Sequence, residues 1–357
     1  MNNPTFKNNL ADLIGQTDLL KITSLSQLTG CDIFVKCEFQ NPGGSVKDRA
    51  ALQMVLDAEA KGLLKPGMTI VEGTAGNTGI GLAVVAKSRG YNLKVVMPRG
   101  QTIEKEKMIE LHGAELVLVD PVPFANQDHF YHTARRIAEQ DDNAWWANQF
   151  ENTANADAHY LNTGPEIYQQ TDKNLDYFVS VAGTGGTLGG VSKYLKEQDD
   201  SIKIVSIDPD SSGIYSFLQT GEYKASKGNS FTEGIGIMRL VDNFRQAKID
   251  YAINLPDKDI VTVAEFVRKN DALVLGSSSA LNVTAALYTA LKFGPKSGDK
   301  KQTIVTLSCD LGERSASKLY NDEFLKSKGI NKNEQSIEAL VEKYLEQTDK
   351  LKPVTFG

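Results

Sequence analysis

Short runs rich in valine and isoleucine alternate with helix-patterned segments along nearly the whole chain, and this alternation limits the possible folds more than any other feature. The spacing predicts strands over 32–39, 68–71, 93–97, 116–119, 177–181, 203–207, 272–275 and 303–307. Helices are predicted over 46–61, 77–89, 102–112, 126–140, 187–197, 261–270 and 278–293. Apolar strands separated by crossover helices argue for an α/β protein with mostly parallel, twisted sheets covered on both faces. Two blocks of alternation meet near 145–155. The expected organisation is a smaller, mobile domain over 45–150 that closes on substrate, and a larger domain from 1–44 plus 151–330. A polar extension over 331–357 carries one amphipathic helix near 338–345, read as a packing or oligomer element. A cleft between two such sheets is the natural ligand site.

Bulk properties exclude several classes. The chain has 357 residues, is 41% hydrophobic and 24% charged, and carries a net charge of −6 without blocks of like charge. That balance suits a soluble globular protein and disfavours a nucleic-acid or anionic-membrane partner. No apolar run approaches the roughly 20 residues a bilayer span needs. The first 30 residues lack the pattern of a secretory signal. The three cysteines, Cys31, Cys37 and Cys309, form no C-x-x-C pair. Reduced thiols in a cytoplasmic protein are expected, and no structural zinc.

Four loops concentrate the chemistry. Lys47 lies in Asn41-Pro-Gly-Gly-Ser-Val-Lys-Asp-Arg49, where Ser45 and Asp48 make a capping-box signature that puts the lysine in a first helical turn. The positive end of the helix dipole would favour its neutral amine, the form that attacks a carbonyl. Read alone, it is a surface lysine on a capped helix. The second loop, Thr74-Ala-Gly-Asn-Thr-Gly79, opens a helix after a strand. It offers N–H groups and the hydroxyls of Thr74 and Thr78 to an anion such as a carboxylate, while Asn77 could bond a phenolate-like oxygen. Third, Gly183-Thr-Gly-Gly-Thr187 suits a phosphate. Asp208 lies 25 positions after Gly183 and would fit a dinucleotide reading, but Leu188 stands where that motif needs glycine. In the fourth, Gly276-Ser-Ser-Ser-Ala280, a serine is either a helix cap or a partner for a heterocycle nitrogen.

A lysine, a phosphate cradle, an oxygen partner and a ring-nitrogen partner together describe pyridoxal 5′-phosphate. The stretches 41–49, 72–82 and 183–187, with Gly312-Glu-Arg314, resemble the cysteine synthases, or O-acetylserine sulfhydrylases. These are grouped with the cystathionine β-synthases among the β-family pyridoxal enzymes, whose fold is tryptophan synthase β-like. The resemblance runs from about 13 to 320. It implies that Lys47 holds the cofactor as a Schiff base and then acts as the base at the substrate Cα. It implies cofactor contacts from Asn77 to O3′, from Gly183, Thr184, Gly185, Gly186 and Thr187 to the phosphate, and from Ser278 to the pyridine nitrogen. Thr74, Ala75, Asn77, Thr78 and Gln149 would surround the substrate carboxylate, and Gly234 would line the pocket where the amino acid docks.

The implied reaction is β-replacement on an O-activated L-serine such as O-acetylserine, through an α-aminoacrylate, with sulfide as nucleophile and L-cysteine as product. A homodimer and a serine acetyltransferase partner are implied as well. Other β-replacements or eliminations stay open: cystathionine synthesis, O-phosphoserine sulfhydrylation, cyanoalanine or diaminopropionate formation, and dehydration of serine. So does a catalytically weak pyridoxal-binding scaffold. The chain departs from the family at Asp18, Ala75, Ala280 and Asp310, where proline, serine, glycine and serine are usual. Arg239 is either an ordinary salt-bridge arginine or a reader of an anionic leaving group. His129, His132 and Asp128 are read as a solvated helix face, and no metal is assigned.

Overall fold

In a computed structural model, residues 6–226, 230–295 and 300–355 are described. Eleven strands occur among them: β1 (Leu19–Lys21), β2 (Asp32–Cys37), β3 (Thr69–Gly73), β4 (Asn92–Pro98), β5 (Glu115–Val119), β6 (Ala144–Trp146), β7 (Tyr177–Val181), β8 (Lys203–Pro209), β9 (Tyr251–Leu255), β10 (Thr303–Ser308) and β11 (Lys352–Pro353). They form two sheets. One has seven strands in the order β1-β2-β10-β7-β8-β9-β11, the other four in the order β5-β4-β3-β6. All pairings are parallel except those of β1 with β2 and β11 with β9, at the two edges of the larger sheet.

Alternation within the strands explains why both faces are covered. Ile33, Val35, Val179, Val205 and Ile304 enter one apolar cluster, while Phe34, Phe178, Ile204 and Val305 enter another on the opposite face. In the small sheet Ile70, Val95 and Met97 face one cluster and Val71 and Val96 the other. Side chains two apart share a face, so strands buried on both sides read as continuous apolar runs. Helix Ser277–Phe293 is buried from its first residue through Ala290, its largely small, apolar and hydroxyl side chains carrying no charged group before Lys292.

Helix Lys47–Ala60 packs against helix Asn77–Arg89 through Ala51, Val55, Ile80 and Ala83. A Cβ at Gly81 would lie 3.1 Å from the backbone of Asp48, so the two helices approach closely where Lys47 begins. The tail is a packing element. Helix Ile337–Glu346 docks through Tyr344 Oη at 2.9 Å from Asp259 Oδ2 and Lys343 Nζ at 2.7 Å from Asp259 Oδ1. The chain then adds β11 to the sheet edge, where a strand would otherwise leave unpaired backbone groups.

Several local expectations are corrected. Segment 272–275 is not a strand: only Leu275 forms a bridge, to Leu311. The segment β9 was not anticipated. The capping box before Lys47 does not form, since the N-cap is Val46 with no side-chain cap. Asp48 instead turns back to accept from the Gly43 N–H, which closes the Pro-Gly-Gly turn and leaves Ser45 Oγ to accept from Lys47 N at 3.3 Å.

Candidate active site

A cavity of about 910 Å³ lies between the two sheets. Its wall includes Lys47, Thr74, Ala75, Asn77, Thr78, Gln149, Gly183, Thr184, Gly185, Thr187, Gly234 and Ser278, so all but one of the residues expected to meet cofactor or substrate converge on one space. Gly186 is the exception. It is buried behind the loop and opens helix Gly186–Gln198.

Lys47 opens helix Lys47–Ala60 in the cavity wall. Its pKa is lowered first by burial and further by the Lys105 charge, while Cys309 and Asp310 oppose the shift. The dipole argument gave the right direction, but desolvation is the larger cause: an ammonium loses its water shell there. Around it, three ties fix the turn. Asp48 accepts from Gly43 N, Arg314 Nη2 donates to Gly43 O, and Val46 N donates to Cys309 O at 2.9 Å.

The loop at the start of helix Asn77–Arg89, expected to receive an anion, is shaped by Gly76, whose φ of +142° excludes a side chain. A Cβ there would also meet the Lys105 stem at 2.5 Å. Thr78 Oγ1 donates to Gln149 Oε1 at 2.6 Å, and Gln149 Nε2 donates to Gly73 O at 2.9 Å. Gln149 thus joins the loop to the segment leaving β6. Beneath it Glu72 is fully buried, and burial pushes its carboxyl up to about 8.

The third loop is packed so tightly from behind that only glycine fits. A Cβ on Gly183 would lie 2.1 Å from Gly234 O, one on Gly185 2.6 Å from the Phe244 backbone, and one on Gly186 2.1 Å from Asn155 Oδ1. Thr187 and Leu188, at the start of helix Gly186–Gln198, line the cavity, while Gly186 N donates to Thr184 Oγ1 at 3.4 Å; a helix start facing a cavity suits a phosphate. Asn155 Nδ2 donates to Thr184 Oγ1 at 2.9 Å, and His159 Nε2 lies 3.2 Å from Thr187 Oγ1. Burial holds His159 far below the usual histidine range, so it supports the loop as a neutral ring.

Asn155 and His159 were missed by the sequence reading, which placed a domain junction near 145–155 and no helix over 154–163. Cys309 was noted only as a thiol. It lines the cavity beside Ser278, and burial pushes it up to about 12. Arg239 is an ion-pair arginine: Nη1 bonds Glu151 Oε1, and the guanidinium lies 4.6 Å from the Phe124 ring and 5.0 Å from the Tyr131 ring. Its charge is engaged by Glu151, although the residue also lines the cavity. His129 Nδ1 accepts from Tyr131 N at 3.3 Å and His132 Nε2 lies 2.8 Å from Phe124 O, so each meets the backbone.

The family described as pyridoxal-phosphate dependent enzyme matches residues 10–310. Cysteine synthase 1 of Emericella nidulans is 46% identical over 344 residues, covering 95% of this chain and 91% of that protein. The cysteine synthase of Dictyostelium discoideum is 44% identical, covering 89% of this chain and 85% of its own. Among solved structures, an O-acetylserine dependent cystathionine β-synthase from Helicobacter pylori superposes with a TM-score of 0.78 at 29% identity, covering 88% of this chain and 98% of that one. A hydrogen sulfide-producing enzyme from Fusobacterium nucleatum gives 0.76 at 32% identity, covering 87% and 99%.

Proposed function

Because the chain belongs to the pyridoxal-phosphate dependent enzyme family, we propose that it replaces the acetate of O-acetyl-L-serine by sulfide, forming L-cysteine. The observation that carries this reading is the placement of a half-buried Lys47, its pKa lowered by desolvation, in the same cavity as the glycine loop 183–187. Relatives above 40% identity over most of the chain bear the name cysteine synthase, and this supports cysteine formation over the other replacements and eliminations.

The residues fit pyridoxal 5′-phosphate. The glycine cradle that any Cβ would fill suits its phosphate, Lys47 its carbonyl, Asn77 its phenolic oxygen and Ser278 its ring nitrogen. When bound, the cofactor supplies the carbonyl that takes up the donor amine and a conjugated ring that accepts the electron pair left at Cα. The protein's part is positional and acid–base. Lys47, in its neutral form, would take the Cα proton of the donor. The Cβ–O bond then breaks and acetate leaves with its electron pair. Hydrosulfide forms the Cβ–S bond, and Lys47 returns a proton to Cα. Thr74, Ala75, Asn77, Thr78 and Gln149 hold the donor carboxylate, with one hydroxyl fewer than the family's usual serine would give at 75. Gly234 leaves room for the docking amino acid. A neutral serine at the ring nitrogen does not enforce its protonation, which suits replacement at Cβ better than transamination.

We take residues 45–150 as the unit that closes over the donor and excludes water from the reacting carbons. The resemblance supports a homodimer and docking to a serine acetyltransferase. The three free, buried thiols support a reducing compartment, the cytoplasm. Among the described residues no helix is long and apolar enough to cross a membrane. Light scattering at the monomer mass would remove the dimer, and cell fractionation tests the compartment.

The decisive experiment adds O-acetylserine and sulfide to protein loaded with the cofactor and measures cysteine. Lys47→Ala is expected to abolish both turnover and the visible absorption of the covalently held cofactor. A protein that takes up no pyridoxal phosphate, or a Lys47→Ala variant with unchanged absorption, sinks the reading.

A further inference from the structure

Asn77 reaches the cavity with its side-chain amide held from behind by two charged groups. Asn77 Nδ2 donates to Asp310 Oδ2 at 2.8 Å, and Arg314 Nη1 donates to Asn77 Oδ1 at 3.0 Å. Both are buried, at 3% and 6% exposure, and neither lines the cavity. The polarity of this clamp permits one amide orientation. Reversing it would set the NH₂ against a guanidinium that can only donate, and the carbonyl against a carboxylate. With Oδ1 accepting from Arg314 and one Nδ2 hydrogen given to Asp310, the side chain keeps its second Nδ2 hydrogen to offer a ligand oxygen.

The clamp also links the loops of the site. Arg314 Nη2 donates to Gly43 O, in the turn that leads to Lys47. The backbone of Asp310 accepts from Ser279 Oγ at 2.8 Å and from Gly276 N at 3.2 Å, in the turn that carries Ser278. Asp310 Oδ1 meets no donor and would lie 1.9 Å from any Cβ at Gly276. One pair of charged residues therefore sits where the Lys47 turn, the Asn77 helix and the Ser278 turn meet.

We infer that Asp310 and Arg314 are positioning residues, which act through Asn77 to present an N–H, and not a carbonyl, to the phenolic oxygen of the cofactor. This rests on the reading of Asn77 as a cofactor contact.

The test measures cofactor affinity and the visible absorption of the bound cofactor, with its pH titration, in Arg314→Gln, Asp310→Ala, Arg314→Lys and Asn77→Ala, singly and as Arg314→Gln/Asn77→Ala. Circular dichroism and melting of the cofactor-free protein monitor folding. Arg314→Gln and Asp310→Ala are expected to bind the cofactor about tenfold more weakly and to shift its absorption or titration. Arg314→Lys should recover part of both. Adding Arg314→Gln to Asn77→Ala should cost little more, because both act on one contact. Fully additive losses with unchanged absorption would overturn the inference. If Arg314→Gln does not fold, Asp310→Ala and Arg314→Lys decide it by the same two readouts. An Asn77→Ala protein that binds the cofactor normally would instead remove the contact assigned to Asn77, a separate failure.

Discussion

Lys105 Nζ lies 2.6 Å from Glu233 Oε2, which ties helix Ile103–Leu111 to the loop that carries Gly234. Lys318 pairs with the other oxygen of the same carboxylate, and Ser317 Oγ donates to Glu104 Oε2 at 2.8 Å. The side chains of Lys105 and Glu233 are nearly inaccessible to water. Two ammonium groups thus share one buried carboxylate across the cleft. Glu233→Gln leaves both cations without it, and their repulsion favours the open cleft by about 2 kcal/mol, roughly thirtyfold in the closed-to-open ratio. The expected result is a large rise in the donor KM with kcat changed by less than about threefold. A KM within error of the parent protein would rule out a closing role for this contact.

Arg49 anchors the helix that begins at Lys47. Its Nε lies 2.7 Å from Glu38 Oε2, and its two terminal nitrogens each lie 2.7 Å from a Glu166 oxygen. Lys36 Nζ adds a contact to Glu166 at 2.6 Å. Burial alone would raise the Glu166 carboxyl, but the hydrogen bonds and charge of Arg49, with those of Lys36, hold it at about 2. Because the folded value is below the unfolded one, this network's stabilisation is present above about pH 4.5 and is lost as pH falls toward 2. Arg49→Met strands the Glu38 carboxylate in the interior and should cost about 3–5 kcal/mol. Urea unfolding at neutral pH measures it, and a loss under about 1 kcal/mol would contradict the account.

The sheets were legible because strands covered on both faces carry apolar residues on both, as Phe178, Val179 and Val181 do in Tyr177–Val181 and Ile304, Val305 and Leu307 do in Thr303–Ser308. Helix Asn77–Arg89 was legible at both ends, since Gly76 and Gly90 have positive φ and stop it. Strand β9 escaped notice because Asn254 interrupts its apolar pattern, and the reason is tertiary: Asn254 Nδ2 donates to the carbonyls of Asp208 and Pro209. The glycine loops carried the site in the sequence because their chemistry is local. What holds them is not local. Arg314 meets Asn77 from 237 positions away, and Asn155 and His159 show no sign of burial until helix 154–163 lies against the Gly186–Gln198 helix.

Glu72 sets a pH dependence of the opposite sign to Glu166. Burial raises its carboxyl to about 8, and its Oε2 meets no donor. Above about pH 4.3 the unfolded chain releases this proton while the folded chain keeps it, so stability falls as pH rises until the folded group also ionises near 8. The slope from this one group is at most about 1.4 kcal/mol per pH unit. Glu72→Gln keeps the neutral form at every pH. Its melting temperature should exceed that of the parent protein at pH 8 and approach it near pH 5. Parallel melting curves across that range would show that Glu72 is ionised in the folded protein.

Gly183 carries the closest backbone contact of the loop glycines, because the backbone oxygen of Gly234 stands 2.1 Å from its missing Cβ, against 2.6 Å from the Phe244 backbone at Gly185 and the end of a side chain at Gly186. A side chain there cannot be accommodated by a rotamer change, so one of two backbone segments must move. Gly236 N donates to Ala182 O at 2.9 Å, which ties those segments together on either side of the contact. Gly183→Ala therefore displaces the phosphate cradle and the Gly234 loop at once. Helix Gly186–Gln198 keeps its own packing through Leu188, Val191 and Leu195, so the fold survives. The expected outcome is cofactor binding weakened by more than about tenfold and a raised donor KM, with the melting temperature of the cofactor-free protein lowered by only a few degrees. Equilibrium dialysis reads the first, steady-state kinetics at saturating cofactor the second. Loss of cofactor affinity with an unchanged donor KM would mean that the two loops move independently, and the contact between Gly183 and Gly234 would then not couple the phosphate seat to the amino-acid pocket.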